Sequence, residues 1–411
     1  MDLTRFSGKK IVIGITGSIA AFKVAGWVST LSKEGADVSV VMTESACHFV
    51  APLTFSALSG KAVITDMFTA EETHCISHVE LGQSADMLLI APATANTIAK
   101  LAHGLADDIL STTVLAADCP VLIAPAMNSL MFENPVTKKN ITILQELGYT
   151  VIDPAYGTMA CKTEGPGRLA EWDDVQEELL QILSKQDLAG EKFLITAGPT
   201  REALDPARFL SNRSSGKMGY ALARTARRRG AEVHLISGPT CEPVPHGVKV
   251  THIETAKEMY NTVMASCHDC SVIVKAAAVS DFRPKTTASE KVKKENAESV
   301  LHLEQTSDIL KMLGEHKEDK KYLLVGFAAE SCELREAGEK KLKSKNLDLI
   351  AINDISKSDT GFESDTNQVI LCDRKGFTEL PFTSKEKTAD FILDRIVQLL
   401  APLSFEIPSC K

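Results

Sequence analysis

The chain has 411 residues, 44% hydrophobic and 24% charged, so it is long enough for two domains and too hydrophobic to be disordered. Its formal net charge of −9 argues against general nucleic-acid binding, which favours a basic surface. No apolar run reaches the roughly 20 residues that cross a bilayer, and the start of the chain lacks a signal-peptide pattern. We therefore expect a cytoplasmic protein without membrane contacts, whose ten cysteines are mostly reduced thiols.

The first half of the chain alternates short apolar segments with helical ones. The predicted strands are KIVIGIT, DVSVVMT, DMLLIAPAT, PVLIAPAM and YTVIDP. This alternation is typical of an α/β fold in which helices cover both faces of a doubly wound parallel sheet. Ligands of such sheets bind at the carboxyl ends of the strands. The unusual loops follow such ends: TGSIAAFK, MTESA, APATANT and APAMNSLMF.

A second alternating pattern begins after the polar segment SKQDLAGEK. Its predicted strands are KFLITAGPT, EVHLISGPT, SVIVKAAAVSDFRP, KYLLVGFAAE and LDLIAINDI. A hairpin at NQVILCDRKGFTELP and a helix through ADFILDRIVQLL complete it. We therefore expect two Rossmann-like domains, at residues 1–188 and 189–411.

The loop after the first strand has the composition of a phosphate-binding turn. Gly14 and Gly17 precede a helix that begins near Ser18, and backbone amides at a helix start bind phosphate. The spacing is G-x-x-G and not the G-x-G-x-x-G of dinucleotide enzymes. Thr43 and Ser45, after the second strand, are hydroxyls that suit a phosphate. A mononucleotide therefore fits better than NAD, although an ordinary tight turn would have the same glycines.

The second half carries a weaker glycine signal, SNRSSGKMG. It resembles a Walker A loop but lacks its first glycine, and Met218 stands where a hydroxyl residue should follow the lysine. Ser214 and Gly216 still favour an anion at the helix start, whereas Lys217 fits a solvated helix face equally well. Asp281 follows a buried strand and either holds magnesium or caps a turn.

Four residues and one close cysteine pair complete the candidate chemistry. His78, Met127 and Asn128 lie near strand ends, and each also has an ordinary structural explanation. Cys161 lies in YGTMACKTEGPGRLAE, whose glycines and proline predict a flexible loop. We expect the pair in CHDC (267–270) to lie at a helix end, because no second CxxC accompanies it.

Taken together, these segments resemble two known families. TGSIAAFK, SHVEL, APATANT, PAMNSLMF and ACKTEGPGR resemble the flavin-binding decarboxylases that act on peptidyl or phosphopantothenoyl cysteine. ITAGPTREALDPARFLSNRSSGKMG, AAAVSDFRP, EKVKK, VGFAAE and KNLDLIAIND resemble the phosphopantothenate–cysteine ligases. The two halves in this order are similar to the bifunctional enzymes of coenzyme A biosynthesis, over roughly residues 8–400.

For the first half, the resemblance implies a flavodoxin-like domain that decarboxylates phosphopantothenoylcysteine to 4'-phosphopantetheine with FMN. The family's flavin oxidises the thiol to a thioaldehyde, CO₂ leaves to give an ene-thiolate, and a proton then returns to carbon. By resemblance, His78 is the acid or base, Asn128 holds the substrate carboxylate, and Cys161 donates the final proton from a closing loop. Lys162 stands where the family's flap often has glycine. The matching flavin-site positions are Gly17, Ser18, Thr43, Ser45, Thr94, Asn96 and Met127.

For the second half, the resemblance implies ligation of cysteine to 4'-phosphopantothenate through an acyl-cytidylate. CTP is converted to CMP and pyrophosphate with Mg²⁺, and the choice of CTP over ATP is inherited from the family. Asn212 matches a residue needed at the acyl intermediate, and Lys291 a lysine that contacts the nucleotide and supports catalysis. The nucleotide-site positions are Asp281, which is also the metal candidate, Asp308, Phe327, Lys341 and Lys345.

The resemblance also implies a homo-oligomer, with a trimeric flavin domain and a dimeric ligase domain that together can build a dodecamer. Two alternatives remain from the sequence: a flavin- or nucleotide-binding regulatory protein of the same fold, and an NAD-dependent dehydrogenase. The first is disfavoured because the matching catalytic residues are present, and the second because the glycine fingerprint is missing.

Overall fold

The computed structural model describes residues 5–68, 77–158, 162–293, 300–317, 322–330, 333–354 and 364–401. The chain forms two compact units, Met1–Leu183 and Ser184–Lys411. No helix in the described part of the chain is long and apolar enough to cross a membrane.

The first unit is built on a five-stranded parallel sheet. Its strands are β1 (Lys10–Ile15), β2 (Asp37–Met42), β3 (Met87–Ala93), β4 (Val121–Pro125) and β5 (Thr150–Val151). Their spatial order is β2-β1-β3-β4-β5, the flavodoxin-like arrangement, which confirms the predicted fold of this half. The order reverses between β1 and β3, so a ligand crevice is expected beyond their carboxyl ends.

Helices cover both faces of this sheet. They are α1 (Ala21–Lys33), α2 (Glu44–Cys47), α3 (Pro52–Ser59), α4 (Ser77–Ser84), α5 (Ala95–Ala102), α6 (Ile109–Leu115), α7 (Ser129–Glu133), α8 (Pro135–Glu146) and α9 (Trp172–Leu183). Successive side chains of a strand point to opposite faces, so Ile11 and Ile13 enter one hydrophobic core and Val12 the other. This double burial explains why the strands are almost continuously apolar.

The glycine-rich segment that the sequence predicts to be a flexible loop forms an antiparallel hairpin on either side of its tip. β6 (Ala155–Thr158) pairs with β7 (Glu164–Arg168). The prediction failed because this hairpin packs against the rest of the unit: a Cβ at Gly167 would lie 2.3 Å from the Met127 carbonyl oxygen. Here glycine permits close packing, besides allowing an unusual backbone.

The second unit has an eight-stranded sheet in the order β12-β11-β8-β13-β16-β17-β19-β20. The parallel strands are β8 (Lys192–Ala197), β11 (Glu232–Ser237), β12 (Lys249–His252), β13 (Val272–Lys275), β16 (Leu323–Glu330) and β17 (Leu349–Asp354). β19 (Val369–Asp373) and β20 (Gly376–Glu379) continue the sheet in the antiparallel sense. If the six parallel strands are numbered 1 to 6 along the chain, their spatial order is 3-2-1-4-5-6, which is the Rossmann arrangement. The expected doubly wound second domain is confirmed.

The helices of the second unit are α10 (Lys217–Arg228), α11 (Ala256–Ser266), α12 (Ile309–Glu315), α13 (Leu334–Ser344) and α14 (Lys385–Leu400). Small two-stranded sheets pair β9 (Arg201–Asp205) with β10 (Arg208–Ser211), β14 (Phe282–Pro284) with β15 (Leu303–Gln305), and β18 (Thr366–Asn367) with β21 (Thr383–Ser384). The CHDC pair lies at the end of α11, in a 3₁₀ turn, as expected.

Candidate active sites

The loops that follow β1 and β3 are joined by one buried hydroxyl. Thr16 donates a hydrogen bond to the Pro92 carbonyl oxygen, over 2.6 Å, and accepts one from the backbone N–H of Thr94, over 3.1 Å. Thr94 also caps the start of α5. The two loops on either side of the strand-order reversal therefore have fixed positions relative to each other.

The loops after β1 and β2 also approach closely. A Cβ at Gly17 would lie only 2.5 Å from the Cβ of Ser45, so no larger residue fits without movement. Thr43 caps α2, and the Ser18 hydroxyl accepts a hydrogen bond from the Ala20 N–H. This crowding of small and hydroxyl residues at the carboxyl edge of the sheet is compatible with a bound phosphate.

An open cavity of about 330 Å³ lies beside these loops. Of the predicted residues, Ser18, Met127 and Asn128 line it. The Asn128 side chain caps α7 by accepting from the Leu130 N–H, over 2.9 Å. The full lining is Ser18, Ile19, Ala20, Phe22, Lys23, Ala126, Met127, Asn128, Thr158, Gly167, Arg168 and Leu169.

The remaining predicted residues of this half are not all brought to the cavity. His78 lies half-buried on the first turn of α4, and it is not among the described residues that line the cavity. Asn96 is exposed on the first turn of α5. Cys161 lies outside the described residues, but its neighbour Lys162 is described, with φ of 65°. That left-handed backbone explains why glycine suits this position better than lysine.

Sequence reasoning missed Lys23 and Arg168, which are the charged residues among the described lining of the cavity. Lys23 lies on α1 and Arg168 ends β7. Both form ion pairs with Glu171, at 3.7 Å and 3.3 Å. The arginine of the GPGR segment can be seen in the sequence as a possible anion ligand, but its place in the cavity depends on how the hairpin folds back.

The second unit has a smaller cavity, of about 170 Å³, beyond the carboxyl ends of β13, β16 and β17. Of the predicted nucleotide-site positions, Phe327 lines it, as do Ser214 and Gly216 of the predicted anion-binding helix start. Asn212 lies close by, since its side-chain amide donates to the carbonyl oxygen of the lining residue Ala278, over 3.1 Å. The full lining is Ser214, Ser215, Gly216, Lys217, Met218, Gly219, Ala276, Ala277, Ala278, Phe327, Ala328, Ala329, Asn353, Asn367 and Lys385.

The start of α10 requires glycine. Gly216 has φ of 82°, and a Cβ there would lie 2.6 Å from a methyl carbon of Thr240. The predicted glycine-rich loop therefore forms one wall of the cavity, although it is not a Walker A loop.

Two lysines give this cavity a positive wall. Lys217 pairs with Asp365 at 2.6 Å, and this hydrogen bond lowers the pKa of the Asp365 carboxyl. Burial, together with the nearby Lys217, lowers the pKa of Lys385 to about 8, while Asp365 acts in the opposite direction. The sequence analysis left the role of Lys217 open and did not identify Lys385.

A separate charged cluster contains three predicted residues. The Lys345 ammonium lies 3.1 Å from the Asp308 carboxylate, and Asp308 caps α12. Burial alone raises the pKa of Asp308, but the Lys311 N–H and Lys345 together lower it below its usual value. The third predicted member, Asp281, interacts electrostatically with Lys275, which the sequence analysis missed.

Lys275 is buried in β13, and burial lowers its pKa to about 7. That value includes the effects of nearby charges: Asp308 and Asp281 raise the pKa, and Lys345 lowers it. A lysine in this state is neutral part of the time near pH 7, which is unusual for the residue.

Two predicted lysines lie elsewhere. Lys341 pairs with Glu330 at 2.5 Å. Lys291 is exposed, in a segment whose neighbour Val292 donates its N–H to Asp205 and accepts from Arg208. Neither lysine is a described lining residue of the cavity. Among the described residues there is also no group of three or more histidine, cysteine or acidic side chains that could hold a metal.

Comparison with known proteins identifies the family. A model of the DNA/pantothenate metabolism flavoprotein C-terminal domain matches residues 188–400, and a flavoprotein model matches residues 3–184. The coenzyme A biosynthesis bifunctional protein CoaBC of Bacillus subtilis is 45% identical over 96% of this chain and 98% of its own length. The chain belongs to this family of bifunctional coenzyme A biosynthesis proteins.

Another bifunctional protein and one solved domain also match the chain. The Escherichia coli CoaBC protein is 41% identical over 95% of this chain and 97% of its own length. A solved C-terminal domain of a CoaBC protein covers 53% of this chain and 100% of its own length, at 42% identity and a TM-score of 0.46. The predicted family and the predicted class, a bifunctional enzyme of coenzyme A biosynthesis and a flavoprotein, are confirmed.

Proposed function

We propose that residues 1–188 decarboxylate phosphopantothenoylcysteine with FMN, and that residues 189–411 join cysteine to 4'-phosphopantothenate with CTP and Mg²⁺. The observation that carries this proposal is the match to bifunctional relatives along both halves of the chain. Each half also has a cavity at the carboxyl edge of its sheet, where ligands of doubly wound folds bind.

The residues of the first unit fit a flavin mononucleotide. The phosphate would bind the loop of Gly17 and Ser18, together with Thr43 and Ser45, because these loops approach each other closely and carry backbone amides and hydroxyls. Residues in the loops after β3 and β4 would hold the isoalloxazine ring. The residues proposed there are Thr94, Asn96 and Met127. When bound, FMN supplies a reversible two-electron oxidation that makes the neighbouring carboxylate able to leave.

The side chains of this unit bind the substrate and move its protons. Asn128 has an amide N–H₂ that can donate to the substrate carboxylate, while its oxygen accepts from Leu130. His78 is proposed to take or give a proton. Cys161 is proposed to return a proton to carbon. Thr158 of β6 and Arg168 of β7 line the cavity, and we propose that these strands help to exclude water from it.

The second unit must activate a carboxylate, because a free carboxylate does not acylate an amine and an acyl phosphate does. We propose that Phe327 contacts the nucleotide in the cavity that Lys217 and Lys385 make positive. Asn212 would stabilise the acyl intermediate, and Lys291 would contact the phosphates. The further nucleotide contacts proposed are Asp281, Asp308, Lys341 and Lys345. Mg²⁺ would take most of its ligands from the phosphates and water, with Asp281 as a protein ligand.

Assembly and location remain part of this proposal. We propose a homo-oligomer with a trimeric first unit and a dimeric second one, able to build a dodecamer, in the cytoplasm. A trimer offers a reason why His78 is not a described lining residue of the cavity: a neighbouring copy would supply it.

The test is mass spectrometry of the products formed from 4'-phosphopantothenate, cysteine and either CTP or ATP. We expect CMP, pyrophosphate, CO₂ and 4'-phosphopantetheine with CTP, from a yellow protein that contains FMN. A colourless protein that cannot be reconstituted with FMN would contradict the first half of the proposal. Formation of AMP in preference to CMP would contradict the assignment of CTP.

A further inference from the structure

The cavity of the first unit carries charge of one sign. Among the residues that the structure describes around it, the charged lining side chains are the cations Lys23 and Arg168. Much of the remaining wall is apolar and includes Phe22, Met127 and Leu169. Such a cavity suits a ligand with an apolar middle and an anionic end.

The packing of the hairpin fixes the position of Arg168. The Met127 N–H donates to the Gly167 carbonyl oxygen over 2.9 Å, so the end of β7 is attached to the loop that carries Asn128. The arginine side chain then lies across β6, where a Cβ at Gly157 would be 2.6 Å from its Nη1 atom. The Arg168 side chain therefore has a defined place along β6 in the cavity wall.

The two cations share one acceptor. Arg168 donates from Nη2 to Glu171 Oε1 at 3.3 Å, and Lys23 Nζ lies 3.7 Å from the same oxygen. The Glu171 side chain is 58% exposed, so these pairs contribute little to stability. The three residues together carry a formal charge of +1, which leaves the cations available to a stronger anion.

We propose that Arg168 and Lys23 bind the phosphate monoester of the substrate and select the phosphorylated form of pantothenoylcysteine. This inference rests on the proposed decarboxylase function. A phosphate monoester carries a charge of about −1.5 to −2 at pH 7, and a guanidinium can bind it through two parallel hydrogen bonds. FMN contains the other phosphate monoester. Of the residues proposed to hold it, Ser18 lines this cavity, whereas Thr43 and Ser45 are not described lining residues, so retention or loss of FMN by an Arg168 variant distinguishes the two phosphates.

The test compares two substrates on the FMN-loaded full chain: 4'-phosphopantothenoylcysteine and unphosphorylated pantothenoylcysteine. For Arg168→Gln we expect kcat/KM for the phosphorylated substrate to fall about 10- to 100-fold, mainly through KM. The same constant for the unphosphorylated substrate should change less than about threefold. Arg168→Lys should recover part of the loss, and Lys23→Met should show a smaller loss of the same kind. Lys33→Met, an exposed cation at the end of the same helix, is the matched control.

For the Arg168→Gln variant, three results would overturn the inference. These are equal losses of kcat/KM for both substrates, no loss for either substrate, or release of FMN. Equilibrium binding, followed by the flavin absorbance, separates this inference from the proposed reaction. Suppose that the wild-type protein turns over neither substrate but binds the phosphorylated one more tightly. If Arg168→Gln removes that difference in affinity, the proposed reaction is wrong and the phosphate site stands. Equal affinity of the wild-type protein for both compounds would refute the phosphate site.

Discussion

The first unit orders its strands β2-β1-β3-β4-β5, whereas the parallel strands of the second run β12-β11-β8-β13-β16-β17. Both orders reverse once, and both cavities lie at the carboxyl edge. The first cavity is completed by a hairpin packed against the β4 loop, the second by a glycine-rich helix start and two lysines. The comparison shows that the strand order of the sheet determines where the site lies. The hairpin in one unit, and the helix start with its lysines in the other, determine the chemistry of the site.

The largest effect should come from His78→Asn. Loss of a general acid or base lowers a rate by about 10²- to 10⁴-fold, so CO₂ release should nearly stop while FMN stays bound. Phosphopantothenoylcysteine should accumulate, because the second unit is unaffected. Release of CO₂ at the wild-type rate would contradict the assignment of His78 as the acid or base, whereas no CO₂ release by the wild-type protein would favour the regulatory alternative.

Lys291→Gln is the corresponding change in the second unit. We expect ligation to fall about 100-fold, since a charged contact to the phosphates is lost, whereas decarboxylation of supplied phosphopantothenoylcysteine should be unchanged. Lys293, exposed in the same segment, provides the matched control as Lys293→Gln. Equal losses in the two variants would show that the segment acts through its overall charge.

Buried Lys275 gives the second unit a specific pH dependence of stability. Its pKa is about 7 in the folded protein and about 10.4 when unfolded, so between these values the unfolded state binds more protons and stability rises with pH. Deprotonation of Lys275 should raise the free energy of unfolding by about 2 kcal/mol between pH 7 and pH 9. Lys275→Met should therefore raise the free energy of unfolding more at pH 7 than at pH 9. Calorimetry of both proteins at the two pH values measures this difference in free energy of unfolding. The same difference at both pH values would contradict the lowered pKa of Lys275.

The smallest effect is expected from Gly17→Ala. The added methyl would lie 2.5 Å from the Ser45 Cβ, so the loop must move and FMN binding should weaken about tenfold, or about 1.4 kcal/mol. Gly26→Ala on α1 is the control, because a Cβ there meets nothing within 4 Å. Flavin absorbance after dialysis reports the retained FMN. Full retention in Gly17→Ala would place the phosphate elsewhere.

Sequence reasoning predicted much of the fold because buried parallel strands leave a clear apolar pattern. It also identified loops that the structure brings together, so that Ser18, Met127 and Asn128 share a cavity. It could not find Lys23 and Arg168 as a pair, since their meeting depends on the folded hairpin. Lys275 was missed because one lysine in an apolar strand gives no sign that it is buried with its ammonium against Met259 of α11.

The most direct test mixes the two variants His78→Asn and Lys291→Gln and supplies 4'-phosphopantothenate, cysteine and CTP. Each variant alone should form little 4'-phosphopantetheine. If the two units catalyse successive reactions, the mixture should restore its formation, because one protein makes the intermediate that the other consumes. Absence of product from the mixture, while each variant retains its other activity, would contradict the assignment of one reaction to each unit.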